Sequence, residues 1–564
     1  MLFFRFQRLL LVSLLFSLVF SARADNEALN RLLSETDAPA EKTPPSHAVS
    51  SPVTENGGAA KSVLDTPKET DARLSPVQHA SDTAEQHVNA LVVFLIKSAY
   101  VGSTDAQDCK TPYHNRSVTP EVQQKFYEWV EKAAENGHLK AQTILGIVQL
   151  YGGIGNMARN ETEGLGWLMR AAQAGDTEAQ LALYRVYSPY TSSCGFKIAK
   201  DEQKAFHWLT NAAEQNDPDA QFQLGIWQIM HYRDKSDIDK AVKWFERAAR
   251  QDHPATWYVF GLILEYSDPP HPEAALLAFR KAAELGQADA QIRYGIALMN
   301  GKGVAQDRRQ GFAWFEKAAR QGSARGQYYL GSAYYNGLGT PTDVHQAVYW
   351  FEKSAAGDHA YGQLALGSMY ALGKGKPKNE HEAFQWFDKS ARQGTPEAQY
   401  LLGMLYLEGS GIPKNDKKAI AWLEKAARQN YLLAQKMLAG LYLHAKNKTY
   451  PGPYSFDKNV PRARYWLEKS AAKGDTDSEV MLAFMLMDGY HTRPDLKRAK
   501  KLMDKAISTG NIRAVVLSGF YYEKFAPHQD KKRAVAAYRQ AAAAGEPIAI
   551  ERLRQLGLPV TLKK

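Results

Sequence analysis

The sequence predicts an all-α fold, a solenoid of about twelve helix-turn-helix repeats. Trp314, Trp350, Trp386 and Trp422 fall 36 residues apart, and each opens nearly the same phrase, from W-F-E-K-A-A-R-Q-G at Trp314 to W-L-E-K-A-A-R-Q-N at Trp422. A fixed period of this length belongs to stacked supersecondary units, none able to bury its apolar face alone. The second observation is helical spacing within one period. Ala347, Trp350, Phe351, Ser354 and Ala355 lie at i, i+3, i+4, i+7 and i+8, the stripe of an amphipathic helix. The third is a stop signal after every such helix.

The helix that closes each unit carries the Trp slot, which continues upstream as Trp129, Trp167, Trp208, Trp244 and Ala278, and downstream as Trp466, Leu502 and Ala537. Eight residues beyond the slot stand Gly137, Gly175, Asn216, Asp252, Gly286, Gly322, Asp358, Gly394, Asn430, Gly474, Gly510 and Gly545. These residue types visit the left-handed conformation that ends a helix. Five residues after the slot sits Ala in every unit but one, where it is Ile507, so neighbouring helices can approach closely. The helix that opens each unit carries Leu330-Gly331 with Tyr334, and again Leu366-Gly367 with Tyr370. A helical Gly costs about 1 kcal/mol against Ala, so its recurrence predicts a close crossing. Between the two helices lies a turn with paired glycines: Gly301 and Gly303, Gly337 and Gly339, Gly373 and Gly375, Gly409 and Gly411.

The phrase A-x-x-x-L-G-x-x-Y, then G-x-G, then A-x-x-W-x-x-K-A-A-x-x-G, resembles the Sel-1-like repeat, a longer-turned relative of the tetratricopeptide repeat. The resemblance spans roughly residues 119–555 and is most specific from Ala274 to Asn430. It implies a right-handed α-α superhelix used as a protein-binding scaffold, and it leaves the partner open.

Along the chain, residues 1–24 read as a secretory signal peptide: Arg5 and Arg8 precede the apolar run Leu9–Phe20, and Ala22-Arg23-Ala24 offers small residues for cleavage. The alternative is an uncleaved anchor, for which the run is short. Residues 25–82 form a Pro-, Ser-, Thr- and Ala-rich segment that cannot bury enough apolar surface to offset its ordering entropy. Residues 83–118 hold an amphipathic capping helix with Val88, Leu91, Val92, Leu95, Ile96 and Ala99, plus a loop. The repeat array occupies 119–558, its closing cap near Ile548–Leu556, and 559–564 is a tail. The spacing breaks in three places: an insertion at Ser188–Lys200, a shortened turn between Glu265 and Pro272, and a longer loop at Lys446–Pro461. Insertions in arrays either carry specific contacts or are tolerated surface variation.

No pattern for catalysis, a cofactor or a metal survives inspection. The G-x-G pairs follow helices rather than strands, so they are turn glycines and not a phosphate cradle. Ser470-Ala471-Ala472-Lys473 matches the S-x-x-K of serine acyl-transfer enzymes, yet Ser470 occupies the slot of Ala318 and Ala426 in sister units, and no Lys-Thr-Gly or Ser-Asp-Asn accompanies it. Some cysteine-rich relatives of the repeat family are described as β-lactamase-like. They carry a disulfide in each repeat, which this chain with its two cysteines lacks. The histidines are scattered, and His381-Glu382 has Gln385 where a second His would be required. The net charge of +10 has a local source in Arg250, Arg320, Arg392 and Arg428, which sit where cations favour a helix C-terminus. The minority reading is an anionic envelope polysaccharide or lipid head group; export argues against nucleic acid.

The expectation is therefore an exported, non-enzymatic scaffold for protein–protein interaction in a bacterial periplasm, without cofactor, metal or integral membrane span. The alternatives are a secreted host-interaction factor and a β-lactam or cell-wall hydrolase. Cys109 and Cys194 are a candidate disulfide, which an oxidising compartment favours. By resemblance to tetratricopeptide arrays, the first helix of each unit lines the concave side. The position two before the Leu of Leu-Gly then gives Phe222, Trp257, Tyr328 and Tyr400 as groove residues, and the one after the Gly gives Met404, Phe484 and Phe520. The opposing reading is that these side chains fill space between units.

Overall fold

The computed structural model describes residues 120–151, 159–190, 196–231, 235–266, 270–444, 459–489, 493–526 and 529–560. The signal peptide, the linker, the capping helix, Cys109, Cys194 and most of the Lys446–Pro461 loop lie outside the described residues. The fold is all-α. The helices divide into two units, Met1–Gly322 and Ser323–Lys564.

In the first unit run α1 (Pro120–Glu135), α2 (Leu139–Tyr151), α3 (Glu161–Gln173), α4 (Thr177–Tyr187), α5 (Glu202–Glu214) and α6 (Pro218–Met230). They are followed by α7 (Lys235–Arg250), α8 (Pro254–Tyr266), α9 (Pro272–Glu284), α10 (Ala288–Asn300) and α11 (Arg308–Arg320). The second unit has α12 (Ala324–Asn336), α13 (Val344–Ala356), α14 (Ala360–Leu372), α15 (Glu380–Arg392), α16 (Pro396–Glu408), α17 (Asp416–Arg428) and α18 (Leu432–His444). After these come α19 (Val460–Ala471), α20 (Thr476–Asp488), α21 (Leu496–Ser508), α22 (Ile512–Phe520), a π-helical turn (Tyr521–Phe525), α23 (Lys531–Ala543) and α24 (Pro547–Gln555). Even-numbered helices open a repeat and odd-numbered ones close it.

Each of the twelve stops named from the sequence has a positive φ, from 55° at Asp252 to 96° at Gly286 and Gly394, and so have all eight turn glycines. The stop at Asp358 shows what this achieves. Its N–H donates to Ala355 O (3.1 Å), and that of His359 reaches back to Ser354 O (3.1 Å), which satisfies carbonyls a helix end leaves without partners. The starts are as explicit. Asp307, Asp343, Asn379 and Asn415 each accept a backbone N–H from the first turn of α11, α13, α15 and α17.

The recurrent helical glycine is a close crossing. A Cβ on Gly331 would stand 2.8 Å from the Phe351 ring, and one on Gly295 2.7 Å from Phe315. Opening helices also carry a buried glutamine. Gln291 donates to Ala283 O (3.2 Å), Gln399 to Ala391 O (3.1 Å) and Gln435 to Ala427 O (3.0 Å). Gln321, Gln393 and Gln429 in turn donate to Gln291, Gln363 and Gln399. These bonds run from repeat to repeat and satisfy amides that burial would otherwise leave costly.

In the repeat opened by α8 the glutamine slot holds Trp257, which is 2% exposed. This corrects the groove assignment of Trp257. Phe260-Gly261 stands there for Leu-Gly, so Trp257 lies three positions before it, not two, and points into the core beside Phe260 (ring centroids 6.0 Å apart). The position two before is Tyr258, which is half-buried.

Candidate functional site

Five of the assigned groove residues, Tyr328, Tyr400, Met404, Phe484 and Phe520, lie on opening helices of the second unit. Tyr328 on α12 is half-buried; its ring lies 5.8 Å from that of Tyr361 on α14 and 5.4 Å from the His359 imidazole. His359 caps α14 by accepting the Gly362 N–H at Nδ1 (3.2 Å). Burial, with the Arg325 charge added, lowers its pKa to about 4. Arg325 lies over Tyr329, its guanidinium carbon 5.8 Å from the ring centre. One repeat on, Tyr400 on α16 faces Tyr431 at 5.5 Å. Glu397 stands in the first turn of α16. Its Oε2 is buried and has no hydrogen-bond partner.

The other assigned groove residues divide. Met404 and Phe520 are half-buried against the core, Phe222 packs 4.8 Å from the His253 ring, and Phe484 is 49% exposed. Tyr361 is 41% exposed. Tyr361, Glu397 and Tyr431 were not foreseen, although Tyr361 and Glu397 occupy equivalent positions 36 residues apart.

Two catalysis-like constellations are structural. Ser470 is fully buried, and its Oγ donates to Trp466 O (3.0 Å) and Leu467 O (3.2 Å) and bonds Ser478 Oγ (2.7 Å). The Lys473 ammonium instead reaches Asn430 O. In the first unit, His253 joins Asp219 (2.9 Å) to Thr256 Oγ1 (2.8 Å), but Thr256 is fully buried and its N–H donates to His253 Nδ1 (3.3 Å), a helix cap. The Ser188–Lys200 insertion is fastened by Tyr190, which donates to Glu202 (2.8 Å) and lies edge-on to Trp227. Burial and the Glu202 contact push the Tyr190 phenol up to about 12.

Many cations are engaged locally. Lys317, Lys389 and Lys425 lie 3.9, 3.8 and 3.9 Å from the ring centres of Trp314, Trp386 and Trp422. Arg320, Arg392 and Arg428 pair with carboxylates one turn back at 2.6, 2.6 and 2.9 Å. One open cavity of about 510 Å³ is lined by Lys497, Lys500, Lys501, Tyr521 and Phe525, and by Asp504, which pairs with Lys500 (2.6 Å). Among the described residues no helix is long and apolar enough to cross a membrane, and no cluster of His, Cys, Asp and Glu is arranged to hold a metal.

The repeat geometry agrees with a family pattern. The Sel1 repeat model matches residues 119–138, 139–176, 181–217, 218–253, 288–323, 324–359, 360–395, 396–431, 433–475 and 476–511. The chain belongs to the Sel1 repeat family. Between these Sel1 matches, α8 and α9 form a further helix pair where Trp257 and Ala278 replace the usual Gln and Trp. A protective antigen of uropathogenic Escherichia coli with an SLR fold is similar at 28% identity and a TM-score of 0.56, covering 76% of this chain and 90% of its own. A Sel1 repeat protein from Oxalobacter formigenes is 28% identical over 63% of this chain and 99% of its own, with a TM-score of 0.37. No curated protein matches the chain in sequence.

Proposed function

We propose that this Sel1 protein is an exported, non-enzymatic scaffold of the bacterial envelope that binds a protein partner along its opening helices. Sel1 repeats typically bind proteins. The observation that carries the assignment to this face is the exposure of Tyr361 and Leu372 on α14 and of Met481 and Phe484 on α20, all on opening helices. Aromatic anchors of this kind dominate interface energetics, and a stripe of them suits a helical or extended peptide. Export rests on the leader-like residues 1–24. The similarity to a protective antigen favours a surface or secreted location as the second reading. The lysine-lined cavity between α21 and the π-helical turn supports an anionic envelope polysaccharide as an additional ligand.

Partner capture from envelope extract tests the proposal. Tyr361→Ala and Phe484→Ala are expected to weaken capture by about 1–3 kcal/mol each while leaving the melting temperature nearly unchanged. Capture that follows only the folded fraction of each variant would remove the opening-helix face as the site. Fractionation with amino-terminal sequencing tests export: the mature chain should begin at Asp25 in periplasm or medium, and intact Met1 on membrane-bound protein would contradict it. Acylation by a labelled β-lactam that is lost in Ser470→Ala would favour the hydrolase alternative.

A further inference from the structure

We infer that the tyrosine cluster around Glu397 receives a basic side chain, Arg or Lys, of the bound peptide. The inference rests on the opening-helix face being the binding surface and goes on to name what that surface recognises. Glu397 on α16 stands at the helix position that Tyr361 holds on α14, and Tyr400 follows it by three residues on the same face. Tyr361 touches Tyr328 at 5.8 Å, and Tyr400 touches Tyr431 at 5.5 Å, so one aromatic pair comes from the two preceding repeats and the other from the repeat that holds Glu397. Burial raises the phenol pKa values of Tyr328, Tyr361 and Tyr431, and the Glu397 charge raises each further. The carboxylate therefore acts electrostatically on rings of both pairs.

A position in the first turn accounts for the sign of Glu397, since a helix N-terminus favours an anion. It does not account for a buried oxygen without a hydrogen bond, which costs free energy, nor for tyrosines whose ring faces are themselves electronegative. A guanidinium or ammonium answers both: it approaches the half-buried Glu397 carboxylate from outside, offsets its charge and stacks on the rings. Lys436 is held by Asp475 (2.9 Å) and Asp477 (3.3 Å), and Arg325 lies over Tyr329. Among the described residues none pairs with Glu397.

The experiment is selection of a random dodecapeptide phage library on immobilised mature chain, in parallel with Glu397→Gln, Glu397→Asp and the double variant Tyr328→Ala/Tyr361→Ala, each first shown folded by circular dichroism. The expected result is enrichment of Arg or Lys at one fixed position of the selected peptides on wild type. That enrichment should be lost on Glu397→Gln and partly kept on Glu397→Asp. The best synthetic peptide should then bind Glu397→Gln about tenfold more weakly, with its citrulline or norleucine replacement weakened equally on wild type. Peptides enriched alike on wild type and Glu397→Gln, whether neutral or acidic, would overturn the cation inference while leaving the face as a binding surface. Peptides enriched equally on the double tyrosine variant would overturn both.

Discussion

His359 couples a helix start to pH. Its half-buried imidazole, beside the Arg325 charge, is favoured in the neutral form, which accepts a backbone N–H, and the folded-state pKa falls to about 4 from 6.5. Above pH 6.5 both folded and unfolded states are neutral there and the cap is fully present. As pH falls through 6.5 towards 4, the unfolded chain takes up the proton first and stability drops, by on the order of 3 kcal/mol at most. The second unit should therefore melt at lower temperature at pH 4.5 than at pH 7, and His359→Asn, which caps without titrating, should flatten that dependence. Trp257 is a second residue with a sharp expectation. It fills a glutamine slot and is 2% exposed, so Trp257→Ala should cost about 3–5 kcal/mol in chemical denaturation, unlike Phe484→Ala.

The two glycines of α12 and α18 invite a paired substitution. Gly331 lies against the Phe351 ring, and its Cβ would be 2.8 Å away, whereas Gly440 has nothing within 4 Å. Gly331→Ala should destabilise by about 1–3 kcal/mol. Gly440→Ala should be neutral or stabilise by up to about 1 kcal/mol, both read from the unfolding midpoint of the second unit. That contrast also marks what was legible in the sequence. Helix ends and crossings are encoded by residue types with one physical use, Gly, Asn or Asp at positive φ and Gly under a ring, so the twelve stops of the closing helices could be named beforehand. The buried glutamines escaped notice because a polar residue in an apolar helix reads as surface until its partner, eight residues back at Ala283, Ala391 or Ala427, is in place. Trp257 was misplaced for another reason: Phe260 stands in α8 where other repeats have the Leu of Leu-Gly, and only counting back from Phe260 puts Trp257 in the Gln slot. Tyr361, Glu397 and Tyr431 become neighbours only across repeats, and no spacing within one helix announces that.

At the scale of the molecule, the family and the all-α architecture follow from repetition, while function depends on departures from it. Cys109 and Cys194 are the two departures in reach of simple chemistry. If they pair, cross-linking over that stretch contributes on the order of 4 kcal/mol in the chain-entropy model. Titration of the denatured, unreduced protein should then find no reactive thiol; two per chain would exclude the bond. The left-handed stops have a wider consequence, for heredity rather than stability. A stop, a capping side chain and a glycine crossing recur within each period, so residues 360–395 carry their own punctuation. Excising them would bring His359, the cap of α14, directly before Pro396, the first residue of α16. The shortened chain should fold with the same helicity per residue and unfold cooperatively. A gene built this way can lengthen or shorten its product by unequal recombination without inventing a new helix end, and its reading frame of evolution is the repeat rather than the codon.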